Sequence, residues 1–244
     1  MDLNADLGEG FGAYTFGQDE ALLNVITSAN IACGFHAGDP QVMDRTVQLA
    51  KERSVYIGAH PGYPDREGFG RRHIPYTCQE IANQIIYQIG ALAAFAIRHQ
   101  TVLHHVKLHG ALYNFSASNE EMAICITDAI AAFNRQLILY APSGSLLVKV
   151  AESRGLKVWQ EFFADREYEV DGTLTPRHVK GSVIDDVDLV VERVLYAILN
   201  GQVKARTGEI ISLELDTICI HGDHQGAAII ARHLKESFIK AGIK

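Results

Sequence analysis

The chain has 244 residues, and its 48% hydrophobic content is ample for the core of one domain spanning residues 1–244. A formal net charge of −7 and a pI near 5.9 argue against a nucleic-acid partner, because phosphate binding needs clustered Lys and Arg. No stretch reaches the roughly 18 uninterrupted apolar residues of a membrane span, and the start lacks the pattern of a signal peptide. We therefore expect a cytoplasmic protein with no membrane partner.

Strand and helix patterns alternate along the whole chain. Seven short apolar or β-branched runs are predicted as strands: Asp2–Leu7, Ile26–Cys33, Val55–His60, His105–His109, Leu137–Tyr140, Val158–Phe163 and Thr217–His221. This order predicts parallel strands with right-handed crossovers, in an open sheet or in a closed barrel. In the first run Asp2, Asn4 and Asp6 alternate with apolar residues. A polar strand face favours an α/β barrel, since the strands of a covered open sheet are almost continuously apolar.

Helix starts are predicted from three pairs of residues: Asp39 with Pro40, Thr77 with Glu80, and Ser118 with Glu121. Another helix begins near Val187 and is expected to stop at Asn200-Gly201. Two segments break the alternation. Residues 163–185 form a long mixed stretch that is a candidate active-site loop, and Val203–Leu215 is predicted to form a small hairpin.

The cysteines indicate the redox state. Cys33, Cys78, Cys125 and Cys219 are scattered without a Cys-x-x-Cys spacing, which predicts reduced thiols. Cys33 and Cys219 fall in predicted strands, where a buried thiol is favoured over a nucleophile because free Cys is usually a core residue.

Polar residues recur where the predicted strands end, which is where α/β barrels place their sites. His36, His60, His109 and His221 follow four different strands at the same end. A shared site explains this better than turn chemistry does, although N-capping remains the favoured role for Asp39 or Asp223 taken alone. The predicted substrate-binding set is Asn4, Asn30, His36, Glu161, Asp165, Arg166, His221 and Asp223.

These residue types leave two kinds of chemistry open. Asp, Asn and His can hold a divalent metal, but no His-Glu-x-x-His spacing is present, so the metal stays an open question. The same groups can act as general acid and base, with Lys107 or a backbone N–H holding an oxyanion. The sequence has no phosphate loop, dinucleotide fingerprint or Gly-x-Ser-x-Gly elbow.

The strand ends, taken in order, resemble the LamB/YcsF family of 5-oxoprolinase A subunits. The matching stretches are Asp2–Gly10, Ser28–Asp39, Gly58–Asp65, Gly68–Arg72, Lys107–Asn114, Phe163–Arg166 and His221–Asp223. Two positions depart from the family pattern: Leu108 replaces the usual Pro, and His224 replaces the usual Thr. Both leave the polar residues in place, so they bear on local backbone shape.

The resemblance implies a distorted seven-stranded (β/α) TIM-like barrel of the glycoside hydrolase/deacetylase type. It also implies a role in converting 5-oxo-L-proline, ATP and water into L-glutamate, ADP and phosphate. The family works in a complex with 5-oxoprolinase subunits B and C, and ATP is the co-substrate of that complex. Because this chain has no phosphate loop, we expect the partners to complete the chemistry.

The predicted catalytic residues are Asp6, His60, Lys107 and His109. In our hypothesis Asp6 or His60 activates the water, and Lys107 and His109 neutralise charge on the activated oxygen. Arg166 would clamp the substrate carboxylate, since a planar guanidinium suits bidentate pairing.

Two other functions remain open at this point. The first is a stand-alone metal-dependent amidohydrolase or deacetylase, which would hydrolyse its substrate without ATP and lose activity on chelation. The second is a non-catalytic protein that only delivers the lactam to its partners, for which site variants would leave the turnover of the complex unchanged.

Overall fold

Seven parallel strands close into a barrel in the computed structural model, which describes residues 1–222 and 226–243. The barrel strands are β1 (Asp2–Leu7), β2 (Ser28–Ala32), β3 (Tyr56–His60), β4 (Leu103–Lys107), β5 (Ile138–Pro142), β6 (Val158–Phe163) and β9 (Thr217–Ile220). β1 pairs with both β2 and β9, and β9 pairs with β6. The prediction of a seven-stranded α/β barrel is confirmed.

Helices follow the barrel strands on the outside. They are α1 (Asp19–Leu23), α2 (Pro40–Glu52), α3 (Cys78–Arg98), α4 (Gly110–Ser116), α5 (Glu120–Asn134), α6 (Leu146–Ser153), α7 (Val187–Asn200) and α8 (Ala227–Ala241). The short strands β7 (Gln202–Lys204) and β8 (Ile210–Ser212) pair antiparallel ahead of β9, which confirms the predicted hairpin.

Side chains that accept hydrogen bonds from the first backbone N–H groups fix where the helices begin. The Asp39 carboxylate accepts from the backbone N–H groups of Gln41 and Val42, and Thr77 with Glu80 forms a complete capping box. The box predicted at Ser118 is wrong by one residue. Asn119 caps α5 instead, because its side-chain oxygen lies 2.9 Å from the Met122 nitrogen.

Side chains alternate along β1 as its sequence predicts. Leu3, Ala5 and Leu7 belong to the apolar core, whereas the buried polar residues of the same strand make hydrogen bonds inside the barrel to side chains of β2 and β6. The barrel interior is therefore polar and stacked in layers along the strands. The apolar core lies between the strands and the surrounding helices.

The structure corrects two further expectations. β4 ends at Lys107, so His109 lies beyond the strand, where the chain turns through Gly110 at φ 57° into α4. Cys78 and Cys125 form a disulfide between α3 and α5, so the prediction of reduced thiols is wrong for this pair. Their separation of 47 residues carries no sequence motif, and only packing of the two helices brings their Cα atoms to 5.6 Å. Cys33 and Cys219 are free and buried, as predicted.

Within residues 1–222 and 226–243, one helix is long and apolar enough to cross a membrane by length and composition alone. This is α3, with 21 residues, and a core helix can meet the same criterion. In this fold Ile81, Ile85 and Ile89 are buried in the shared core, and 33% of the most apolar window of α3 is buried.

Candidate active site

A cavity of about 610 Å³ lies at the carboxyl-terminal end of the barrel strands. Seven of the residues predicted for the site line it: Asp6, His60, Lys107, His109, Glu161, Arg166 and His221. The outer wall comes from α4 and from the loop between β6 and α7, including Tyr168, Leu174 and Arg177. The long loop singled out in the sequence therefore lines this cavity.

A buried ion cluster surrounds Lys107 at the floor of the cavity. The Lys107 Nζ lies 2.9 Å from each of Asp6 Oδ1, Glu161 Oε1 and Cys219 Sγ. Burial favours the neutral amine, but Asp6 and Glu161 outweigh it and raise the pKa of Lys107 well above its usual value. Lys107 is therefore a fixed positive charge and not a proton acceptor at neutral pH.

Asp6 is held as a carboxylate within the same cluster. Burial would raise its pKa, but His60 and Lys107 lower the pKa of Asp6 well below its usual value. Its Oδ1 also accepts from Asn30 Nδ2 at 2.9 Å, and its Oδ2 lies 3.5 Å from His60 Nε2. Asp6 thus faces both the lysine and the histidines.

Tyr113 and Cys219 join this cluster although the sequence did not single them out for the site. The Tyr113 hydroxyl donates to Glu161 Oε2 at 2.6 Å, and burial together with Glu161 raises the pKa of Tyr113 well above its usual value. Burial likewise raises the pKa of Cys219, which stays a thiol. Tyr113 lies in α4, only four residues beyond His109, and this closeness to a strand end was the available signal.

Three histidines converge beside Asp6. The His36 and His109 rings stack in parallel, with centroids 3.7 Å apart, and His60 meets both edge-on. His60 Nε2 lies 2.9 Å from His109 Nδ1. Burial, and then the neighbouring histidines, lower the pKa of His36 and of His109 well below the usual value, so both rings are neutral at neutral pH.

Glu9 completes this group, and sequence reasoning missed it as a site residue. Its Oε1 lies 3.5 Å from His36 Nε2 and 3.7 Å from His109 Nδ1. Its position in the Leu7-Gly8-Glu9-Gly10 stretch at the end of β1 was the signal that could have found it.

The fourth strand-end histidine lies apart from the other three. His221 Nδ1 is 3.0 Å from Asp165 Oδ1. Burial raises the pKa of Asp165, but His221 outweighs it and lowers the pKa of Asp165 to about 2. Arg166 lines the cavity, and its Nε and Nη2 donate to the carbonyls of Ser182 and Thr175, at 3.1 and 2.5 Å. These two bonds anchor the loop between β6 and α7. The predicted pairing of Arg166 with the carboxylate of the substrate stays a prediction.

The predicted substrate-binding residues divide into two groups. Glu161, Arg166 and His221 line the cavity. Asn4, Asn30 and Asp165 lie behind its surface and hydrogen-bond the lining residues Glu161, Asp6 and His221, and His36 stacks there on His109. Asp223 falls outside the described residues.

The barrel and the buried polar cavity at its mouth define an α/β barrel protein with its site at the strand ends. The chain belongs to the LamB/YcsF family, which it matches over residues 1–244. It is 52% identical over 244 residues to the A subunit of 5-oxoprolinase from Pyrococcus abyssi, across 100% of this chain and 96% of the relative.

Two further relatives extend this likeness. The A subunit of 5-oxoprolinase from Methylococcus capsulatus is 51% identical over 243 residues, across 100% of this chain and 94% of the relative. The crystal structure of the lactam utilization protein from Thermus thermophilus has a TM-score of 0.93 and 41% identity, covering 99% of this chain and 96% of that one.

Proposed function

We propose that this chain is the A-type component of an ATP-dependent 5-oxoprolinase that hydrolyses 5-oxo-L-proline to L-glutamate together with B and C subunits. The observation that carries the proposal is the full-length identity of about one half to proteins named as the A subunits of 5-oxoprolinases. The cavity at the barrel mouth supports it, because charged and neutral polar groups converge there around a space suited to a small polar molecule.

Chemistry explains why the reaction would use ATP. A five-membered lactam is an unstrained, resonance-stabilised amide, so water attacks it slowly. Phosphorylation of the lactam oxygen would make the carbon electrophilic and create a good leaving group. Since the chain has no phosphate loop, we assign ATP to the complex as co-substrate and the remaining chemistry to the partners.

The geometry refines the roles proposed for individual residues. Asp6 is ionised at neutral pH and can accept a proton from water, although its low pKa makes it a weak base. Lys107 keeps its charge and can stabilise negative charge on the activated oxygen. His60 and His109 lie beside Asp6 at the cavity surface, where they can orient the attacking water.

The test is an assay of glutamate release from 5-oxoproline, with this chain alone and then with ATP and the B and C subunits. We expect release only from the complete mixture, with matching formation of ADP. Single replacements Asp6→Ala, His60→Ala, Lys107→Ala and His109→Ala should each cut turnover by about 10²–10⁴-fold. Circular dichroism and size-exclusion chromatography serve as the folding controls. Near-normal rates in all four variants would contradict the site assignment.

A further inference from the structure

Four buried side chains from four different strand ends point at one another beside the cavity. Glu9, His36, His60 and His109 each offer one nitrogen or carboxylate oxygen, and these atoms all lie within 4.8 Å of one another. The exposed fractions of the four residues are 5%, 0%, 1% and 4%. Nitrogen and carboxylate oxygen atoms that lie this close together, and are this well shielded from solvent, are suited to binding a cation.

The hydrogen bonds of His60 and His109 fix which nitrogens carry those lone pairs. His60 Nδ1 lies 2.8 Å from the Lys107 carbonyl, and His109 Nε2 lies 2.8 Å from the Phe69 carbonyl. A carbonyl only accepts, so both of these nitrogens donate. When one nitrogen of a neutral imidazole donates, the other nitrogen carries a lone pair, and these other nitrogens, His60 Nε2 and His109 Nδ1, lie 2.9 Å apart. Metal-binding histidines show the same arrangement, with the distal N–H held by a backbone carbonyl.

His36 gives a second, independent observation. Both of its ring nitrogens are fully buried, and neither has a hydrogen-bond partner in the described parts of the chain. Buried polar atoms are nearly always paired, so such a ring calls for an explanation. Its Nε2 lies 3.5 Å from Glu9 Oε1, on the side of the cluster where the other ligand atoms meet.

The surrounding loops are shaped to hold these rings. A Cβ atom at Gly62 would lie 2.8 Å from His36 Nδ1, and one at Gly70 would lie 2.8 Å from His109 Cδ2. Phe69, whose carbonyl orients His109, has a φ of 52°, which is uncommon for a bulky residue. Strained backbone of this kind clusters at functional sites.

We propose that Glu9, His36, His60 and His109 bind one divalent transition-metal ion of the zinc class. Three imidazoles and one carboxylate suit zinc and its neighbours, whereas Mg²⁺ and Ca²⁺ prefer an all-oxygen set. His60 and His109 line the cavity while Glu9 and His36 lie behind them, so a water or substrate oxygen would approach the ion from the His60 and His109 side. With His60 acting as a ligand, Asp6 becomes the proton acceptor.

The test measures metal binding and does not depend on B, C or ATP. Tag-free protein is stripped with a chelator, dialysed and titrated with Zn²⁺ and with Co²⁺ by calorimetry, and its bound metal is counted by mass spectrometry. We expect one equivalent, and a Kd weakened at least about tenfold by His60→Ala, His109→Ala or Glu9→Gln. The matched control is His233→Ala, since His233 lies on the exposed face of α8 and should keep the full equivalent.

Thermal unfolding keeps the proposal falsifiable where a variant is unstable. Zn²⁺ should raise the Tm of the wild type and of His233→Ala but not that of His36→Asn, because a ligand stabilises only a folded state that binds it. Absence of stoichiometric Zn²⁺ or Co²⁺ binding by the wild type would overturn the proposal. Unchanged uptake in all of the cluster variants would overturn it equally. Neither result would contradict the proposed 5-oxoprolinase role, which is tested separately by the assay of glutamate release.

Discussion

The two ends of the barrel interior are both polar, but they differ in how completely their groups are paired. At the amino-terminal end the Asp2 carboxylate accepts from the hydroxyls of Thr27, Ser28, Tyr140 and Thr217. Ser28 Oγ lies 2.7 Å away and the Tyr140 hydroxyl 3.2 Å away. This network resembles the core of a stable fold, in which each buried polar group has a partner.

At the carboxyl-terminal end the pairing is incomplete and the charges are concentrated. Lys107 holds two carboxylates, and both nitrogens of His36 lack a partner in residues 1–222 and 226–243. The comparison teaches that polarity alone does not mark a site in a barrel. A site is marked instead by unpaired polar groups and by a buried cluster of opposite charges. Both lie at the carboxyl-terminal end of the strands, where α/β barrels place their active sites.

The largest effect on stability is expected from Lys107→Met. Removing the cation leaves Asp6 and Glu161 buried without their partner, which typically costs about 3–5 kcal/mol in the free energy of unfolding. Urea denaturation measures this loss. Adding Asp6→Asn should recover part of it by removing one of the stranded charges, and a double variant no more stable than Lys107→Met would contradict this explanation.

An intermediate effect is expected from the pH dependence of Asp165 at the same end. Its pKa of about 2 in the folded protein lies below that of an unfolded Asp, so its contribution is present above about pH 4 and is lost as the pH falls towards 2. The contribution is about 2 kcal/mol for a shift of this size. Denaturation of the wild type and of Asp165→Asn across this range measures it. Parallel curves for the two proteins would show that the His221 pairing contributes nothing.

The smallest effect is expected from Asp2→Ala at the amino-terminal end, and it tests the contrast directly. Loss of the shared acceptor leaves the surrounding hydroxyls to find other partners, at a net cost of about 0.5–1.5 kcal/mol in the free energy of unfolding. Turnover per folded molecule in the complete complex should be unchanged, because Asp2 does not line the cavity. A large fall in turnover without loss of stability would abolish the distinction between the two ends.

The sequence predicted the barrel and most of the cavity floor because both rest on local periodicity. The alternation of polar and apolar residues along β1 indicated a polar strand face. The histidines at the strand ends indicated which end of the barrel holds the cavity. Depth was harder to predict. Asn4 and Asp6 share a face, but residues two apart along a strand differ by about 6–7 Å in height, so only Asp6 reaches the cavity.

Contacts between distant segments could not be predicted from the sequence. Tyr113 enters the site because α4 directs its hydroxyl to Glu161 on β6. Cys219 contacts Lys107 because β9 and β4 face each other across the barrel. The Cys78–Cys125 bond likewise depends on two helices packing side by side. No local pattern encodes these distances.

The Cys78–Cys125 bond makes one part of the chain a covalent ring. The ring runs through α3, β4 and α4, so it carries Lys107, His109 and Tyr113. A protease cut in residues 99–102, between α3 and β4, would open the backbone without releasing either piece. The nicked protein would separate into two fragments in a denaturing gel only after reduction, and until then the fragment that begins near β4 would stay tethered through sulfur to the fragment that carries β1, β2 and β3.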